Sequence, residues 1–175
     1  MNEQEAGGED AVDREAALPT DSALATASAR RDPRHHRQAQ RAILLVVGIS
    51  GILGALARYG MAEAIPTAPG TFPWSTFAIN VSGSLAIGLV LVLLLDRFPR
   101  ARVARPLIVT GFLGAYTTFS TYTVDADLLF RSGDLLTGVA YALASLAAGT
   151  VAALAGIALG HHLVHIDRRL EERLR

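Results

Sequence analysis

Hydrophobic positions in this chain gather into four runs without Asp, Glu, Lys or Arg, at 42–57, 64–95, 106–124 and 135–159. Each holds most or all of the roughly 20 residues that a spanning helix needs. The pattern predicts an all-α membrane protein of four transmembrane helices, the first at about 41–61, the second at 74–95 and the fourth at 135–159. The third run departs from the pattern. Its stretch Gly111-Phe-Leu-Gly-Ala-Tyr-Thr-Thr-Phe-Ser-Thr-Tyr122 combines two glycines with a run of hydroxyl residues, which weakens helix propensity at bilayer depth. A broken third helix is expected there, ending near Asp125 and Asp127. Backbone freed by such a break must be buried in protein or face water, so breaks of this kind usually build an ion or substrate site. Tyr116, Phe119 and Tyr122 recur every third residue, which places them roughly along one side of the helix that continues past the break.

Polar positions inside the runs supply the candidate chemistry. In the first helix Gly48, Gly51 and Gly54 form a small-residue stripe that lets another helix approach closely. Arg58, near its end, either snorkels to the interface beside Tyr59 or contacts a broken-helix carbonyl or an anion vestibule. A short proline-rich turn, 65–73, follows. In the second helix Thr76 and Asn80 lie one turn apart, and Ser84 and Gly88 continue their face. Asn80 either bonds a neighbouring helix or lines a pore. Tyr141 and Ser145 form an i, i+4 pair on the fourth helix, read either as packing or as a polar track shared with Asn80. His161 and His165 share a helix face, but no carboxylate or cysteine accompanies them within the membrane. A solvated, arginine-rich end is the better account than a metal site.

The flanks add domain limits and orientation. Residues 1–39 are acidic and then basic with few large apolar side chains, and are expected to form a disordered cytoplasmic tail. The four-helix body is set at 40–160 and a cytoplasmic C-terminal tail at 161–175. No signal-peptide pattern opens the chain. All sixteen basic residues are arginine. Five fall in 30–41, four in 96–105 and four in 161–175, thirteen in all, against Arg131 alone in the two opposite loops. The positive-inside rule then places both termini and the second connection in the cytoplasm of a multi-pass plasma-membrane protein with one orientation. The absence of cysteine excludes disulfides, thiol chemistry and Cys-ligated metals. No enzyme is implied, because no Ser/His/Asp, metal or paired-carboxylate constellation lies within the spans.

Three stretches together resemble the Fluc (CrcB-like) family of fluoride channels. The first helix reads S-G-I-L-G-A-L-A-R-Y, similar to G-G-x-x-G-A-x-x-R-Y. The second reads S-T-F-A-I-N-V-S-G-S-L-A-I-G, similar to G-T-x-x-V-N-x-x-G-x-x-x-x-G. The third reads G-F-L-G-A-Y-T-T-F-S-T-Y, similar to G-F-x-G-G-x-T-T-F-S-T-F. The resemblance covers about 42–160. It implies an antiparallel dimer of four-helix subunits, two narrow fluoride pores, and a central structural Na+ held by backbone carbonyls of Gly114 and Thr117. By position, Asn80 would line the pore and Phe119 with Tyr122 would form the aromatic pair that fluoride passes. Ser120, Thr76, Tyr141 and Ser145 would belong to the same polar path, with Arg58 structural or at a vestibule.

Two positions depart from the family pattern: Tyr122 stands for a phenylalanine, and Asp125 for a longer acid. The implied activity is passive, fluoride-selective export that relieves fluoride toxicity. The one-sided arginine distribution points to a heterodimer with a paralogous subunit of opposite topology. The alternatives are a non-conducting scaffold subunit of such a channel and a small multidrug-type transporter. The transporter would need a membrane-buried carboxylate, whereas Glu63, Asp96, Asp125 and Asp134 are all expected at helix ends.

Overall fold

The computed structural model describes residues 33–98 and 103–173. Helix α1 is Pro33–Ala64, 32 residues long. Helix α2, Trp74–Val92, continues as a π-helical turn, Leu93–Arg97. After the second connection a π-helical segment, Pro106–Leu113, runs into the short α3, Gly114–Tyr116. Helix α4, Phe119–Arg131, follows, and α5, Leu135–Arg173, closes the chain. Among the described residues three helical stretches are long and apolar enough to cross a membrane: Gln40–Ala64, Trp74–Arg97 and Leu135–Ile166. The chain is an all-α, multi-pass membrane protein.

The described first helix extends N-terminally of the apolar run, from Pro33 on, because arginine and glutamine continue a helix as well as leucine does. The acidic segment and Arg30 and Arg31 of the expected tail lie outside the described residues, as do Arg100 and Arg102 of the second connection.

Glycines set the helix contacts. Without a hydrophobic force between helices in lipid, association depends on close packing, and small residues permit it. A Cβ on Gly88 would strike the Ala153 carbonyl, and one on Gly156 would strike the Leu85 carbonyl, so α2 and α5 cross with backbones touching in both directions. Gly54 of α1 meets the Phe112 carbonyl in the same way, and Gly111 meets the Ser50 hydroxyl. A Cβ on Gly48, the third member of the stripe, would meet no atom within 4 Å in this subunit.

A small core lies where the connection before α2 folds back. Ala126, Leu129 and the fully buried Tyr141 pack with Phe72, Phe77 and Tyr122. Phe72 stands edge-on to Tyr141, with ring centroids 5.3 Å apart. The turn that delivers it is built on Pro69-Gly70, with Gly70 at φ 76°, where other residues are disfavoured. The Thr71 amide and hydroxyl both donate to the Ala68 carbonyl.

Candidate functional site: a polar groove at the helix break

The site begins with two residues that leave helical geometry. Thr117 adopts φ −74°, ψ 156° and Thr118 adopts φ −147°, ψ 117°, so α3 stops at Tyr116 and a new helix starts at Phe119. Thr118 caps that helix: its Oγ1 accepts from the Thr121 amide at 3.1 Å, satisfying one of the free donors of a helix start. The Thr117 hydroxyl turns back to donate to the Leu113 carbonyl at 3.0 Å.

Asn80 closes the break from α2. The Thr118 amide donates to Asn80 Oδ1 at 2.9 Å, and Asn80 Nδ2 donates to the Thr118 carbonyl at 3.0 Å. One side chain thus satisfies both main-chain groups of the extended residue. The interhelical bond expected of an asparagine in a membrane helix is present, and a second Nδ2 hydrogen remains free for another acceptor.

A groove of about 420 Å³ opens beside this bond. Asn80, Ser84, Phe119, Tyr122, Ser145 and Gly149 are among its lining residues. Phe119 and Tyr122 stand with ring centroids 5.6 Å apart. Phe119 is 75% exposed, whereas Tyr122 is half-buried and donates its hydroxyl to the Ala142 carbonyl at 3.2 Å. Ser145, 8% exposed, carries a buried hydroxyl with no hydrogen-bond partner. Unpaired hydroxyls are costly when buried, so this one marks a place where an acceptor is wanted.

The structure divides the other expected site residues. Thr76 lines a second, larger cavity of about 710 Å³ with Arg58, Tyr59, Thr118, Thr121 and Asp125. Ser120 is exposed, with its hydroxyl 3.3 Å from that of Thr118. Tyr141 sits in the aromatic core, and Gly114 is exposed at the start of α3. Tyr116 is a correction to the expected aromatic side: it lies before the break, is buried, and bonds Ser82 at 2.9 Å, because the change of direction at Thr117 separates it from Phe119 and Tyr122.

Asp125 is a second correction. It stands in the middle of α4, half-buried, instead of at a helix end, because the helix runs on to Arg131. Its Oδ2 accepts from the Thr76 hydroxyl at 2.6 Å and lies 3.5 Å from the Tyr141 hydroxyl. Sequence reasoning left it out of the site. Its position, a charge within reach of hydroxyls on two other helices, was visible only as the first carboxylate after the break.

The Na+ expected at Gly114 and Thr117, and with it a sodium or metal-binding character, is the third correction. Among the described residues no group of three or more His, Cys, Asp or Glu could hold a metal ion. The polar backbone of the break is instead met by neutral hydrogen bonds from Asn80 at Thr118. His161, expected at a solvated end and not at a metal site, lies 3.4 Å from Asp96 on an exposed surface.

The comparisons with known proteins agree with this architecture. The family profile described as CrcB-like protein, Camphor Resistance (CrcB), matches residues 45–157. A protein of Streptomyces avermitilis named fluoride-specific ion channel FluC 3 is 40% identical over 134 residues, covering 77% of this chain and 66% of its own length. Fluoride-specific ion channel FluC 2 of Nocardia farcinica is 44% identical over 119 residues, covering 68% of this chain and 82% of its own. The FluC protein of Acidobacterium capsulatum is 44% identical over 124 residues, covering 69% of this chain and 97% of its own. A profile matched through nearly all of the helical body, together with relatives at this identity, places the chain in the CrcB-like (FluC) fluoride channel family, a family of channels and not of enzymes.

Proposed function

We propose that the chain is a subunit of a passive, fluoride-selective channel that exports fluoride from the cytoplasm, and that the groove at Asn80, Phe119, Tyr122 and Ser145 is its ion path. The carrying observation is the unpartnered Ser145 hydroxyl lining one groove with two aromatic rings. Fluoride is a strong acceptor, and a free O–H offers it a bond in place of lost water. Ring edges carry partial positive charge and contact an anion without the hold of a full cation, so ions can leave as well as enter. Ser120, Thr76, Tyr141 and Arg58 lie off this groove and take supporting roles on this reading, Arg58 at the larger cavity as an attraction for anions.

The segments Pro106–Leu113, α3 and α4 form the fourth, interrupted crossing on this reading. The 75% exposed Phe119 ring then requires a second subunit to cover the open side of the groove. The arginine bias, thirteen against one across the two sides, supports a fixed orientation with both termini cytoplasmic. It favours an antiparallel heterodimer with a paralogue of opposite bias.

Fluoride efflux from liposomes, read with a fluoride electrode, tests the reading. The chain is reconstituted alone and with an opposite-topology paralogue. Flux only in the pair is the expected outcome. Flux from the chain alone would refute the heterodimer, and silence in both would refute conduction through this subunit in favour of a scaffold.

A further inference from the structure

The break between α3 and α4 is held at three successive residues by one helix. Asn80 of α2 bonds both main-chain groups of Thr118. A Cβ on Gly83, about one turn further along α2, would strike the Thr117 methyl and come within 3.2 Å of the Tyr116 ring, so the bare glycine seats both residues. Ser82 makes the third contact, with its Oγ 2.9 Å from the Tyr116 phenol oxygen. The direction of that bond follows from its surroundings. A serine has one proton to give, and that of Ser82 turns back to the Ala78 carbonyl at 2.7 Å, nearer than the Ile79 carbonyl at 3.2 Å. The phenol is therefore the donor and Ser82 Oγ the acceptor. The Tyr116 ring is itself held: it is 9% exposed and stacks on Phe112, with centroids 6.3 Å apart and planes 5° from parallel.

The first turn of α4 depends on this anchor. Its buried residues, Ala126 and Leu129, come two turns or more after its start, and Tyr122 ties it to α5 only one turn on. Phe119 therefore takes its place from what precedes it, the cap at Thr118 and the end of α3. Asn80 by itself fixes Thr118 as a pivot, about which the extended pair Thr117-Thr118 can swing. Tyr116, two residues earlier, supplies a second fixed point. We infer that Tyr116 is a positioning residue: by donating its phenol to Ser82 it fixes the direction in which α3 ends, and with it the place of the Phe119 ring on the groove. This rests on the fluoride-channel reading of the groove and deepens it.

The test is a double-mutant cycle on the full chain in liposomes, with its partner subunit where conduction requires one. Tyr116→Phe keeps the ring and leaves Ser82 its back-bond, so it removes the anchor without orphaning a polar group. Ser82→Ala removes the acceptor. Each should lower fluoride efflux per folded molecule by about 2- to 10-fold, the range of one hydrogen bond. The double variant should be no slower than the slower single variant, because both changes break the same bond. A bond that only stabilised the fold would reduce the folded fraction and leave efflux per folded molecule at the wild-type value, which would overturn the inference. Losses that multiply would overturn it too.

A second readout does not depend on conduction: the magnetic resonance of a fluorine label placed at the para position of the Phe119 ring, in the full chain in bilayers. The wild-type chain should give one line, and Tyr116→Phe and Ser82→Ala should both shift or split it. A line that stays in place in either variant would show that Phe119 is held without the phenol, and the inference would fail. Silence of wild-type flux in every combination would refute the channel reading alone, while the fluorine line would still judge whether Tyr116 places the ring.

Discussion

Asn80 uses both ends of its amide on Thr118, so one side chain stands between an ordered break and two unsatisfied main-chain groups. Leaving a buried amide or carbonyl unpaired costs about 1–3 kcal/mol. Asn80→Ala should therefore lower stability by at least that amount, read as loss of the folded fraction on titration with denaturing detergent. Asn80→Asp keeps the acceptor for the Thr118 amide and loses the donor to its carbonyl, so it should fall between the two. A melting curve for Asn80→Ala that overlays wild type would remove the asparagine from the account of the break.

Asp134 gives a smaller, pH-readable case. Its Oδ1 accepts the Thr137 amide at 3.1 Å at the start of α5, and that bond lowers the carboxyl's pKa below its ordinary value. A depressed folded pKa means the contribution is present above the unfolded value and fades as pH falls through the folded one. Exchange of the Thr137 amide should thus be most protected near neutrality, with protection declining in acid beyond the change in intrinsic exchange rate. Asp134→Asn should flatten that decline. A decline of the same size in Asp134→Asn would assign it to another group.

At the scale of elements, the contact of α2 with α5 is made by backbone. Because the positions of Gly88 and Gly156 face carbonyls directly, an added methyl has nowhere to go without separating the helices. Gly156→Ala is expected to cost about 1–3 kcal/mol, the usual penalty of overpacking. Gly149→Ala is the matched control: its Cβ would meet only the Ser84 hydroxyl at 3.5 Å, an ordinary contact, so its unfolding should stay close to wild type. If both variants unfold alike, close backbone approach is not what holds this pair. The start of α4 depends on Thr118 in a different way. Removing its hydroxyl with Thr118→Ala takes away the cap on the Thr121 amide and should cost about 0.5–2 kcal/mol in the same assay.

The whole molecule is asymmetric in charge and incomplete in surface. Large apolar side chains line the outside of α1, among them Leu45, Ile49, Ile52 and Leu56, all more than half exposed. For a multi-pass membrane chain this is a surface for lipid or for another subunit. Phe119 is harder to leave to lipid, since it borders a groove that also holds a free hydroxyl. Reporters fused at either terminus should both mark the cytoplasm in essentially every molecule. An even split between the two sides would sink the single-orientation reading and allow the chain to pair with itself in antiparallel fashion.

Much of this architecture could be read without coordinates, because it rests on local properties of the chain. Uncharged runs set where long apolar helices lie, and the Gly and Thr pattern after Gly111 set where a helix breaks. Each depends on a window of a few residues and the solvent around it. The partners of the break depend on pairs far apart in sequence. Asn80 and Thr118 are separated by 38 residues and Thr76 and Asp125 by 49, so no periodicity could join them. Tertiary structure alone decided that Tyr116 turns away from Phe119, that Asp125 lies within a helix between two hydroxyls, and that Thr118 is held by an amide instead of an ion. It also decided that the Tyr122 hydroxyl reaches the Ala142 carbonyl while the Ser145 hydroxyl is buried without a partner. A hydrogen bond is short and directional, and which donor reaches a given oxygen first is settled only when the helices are packed.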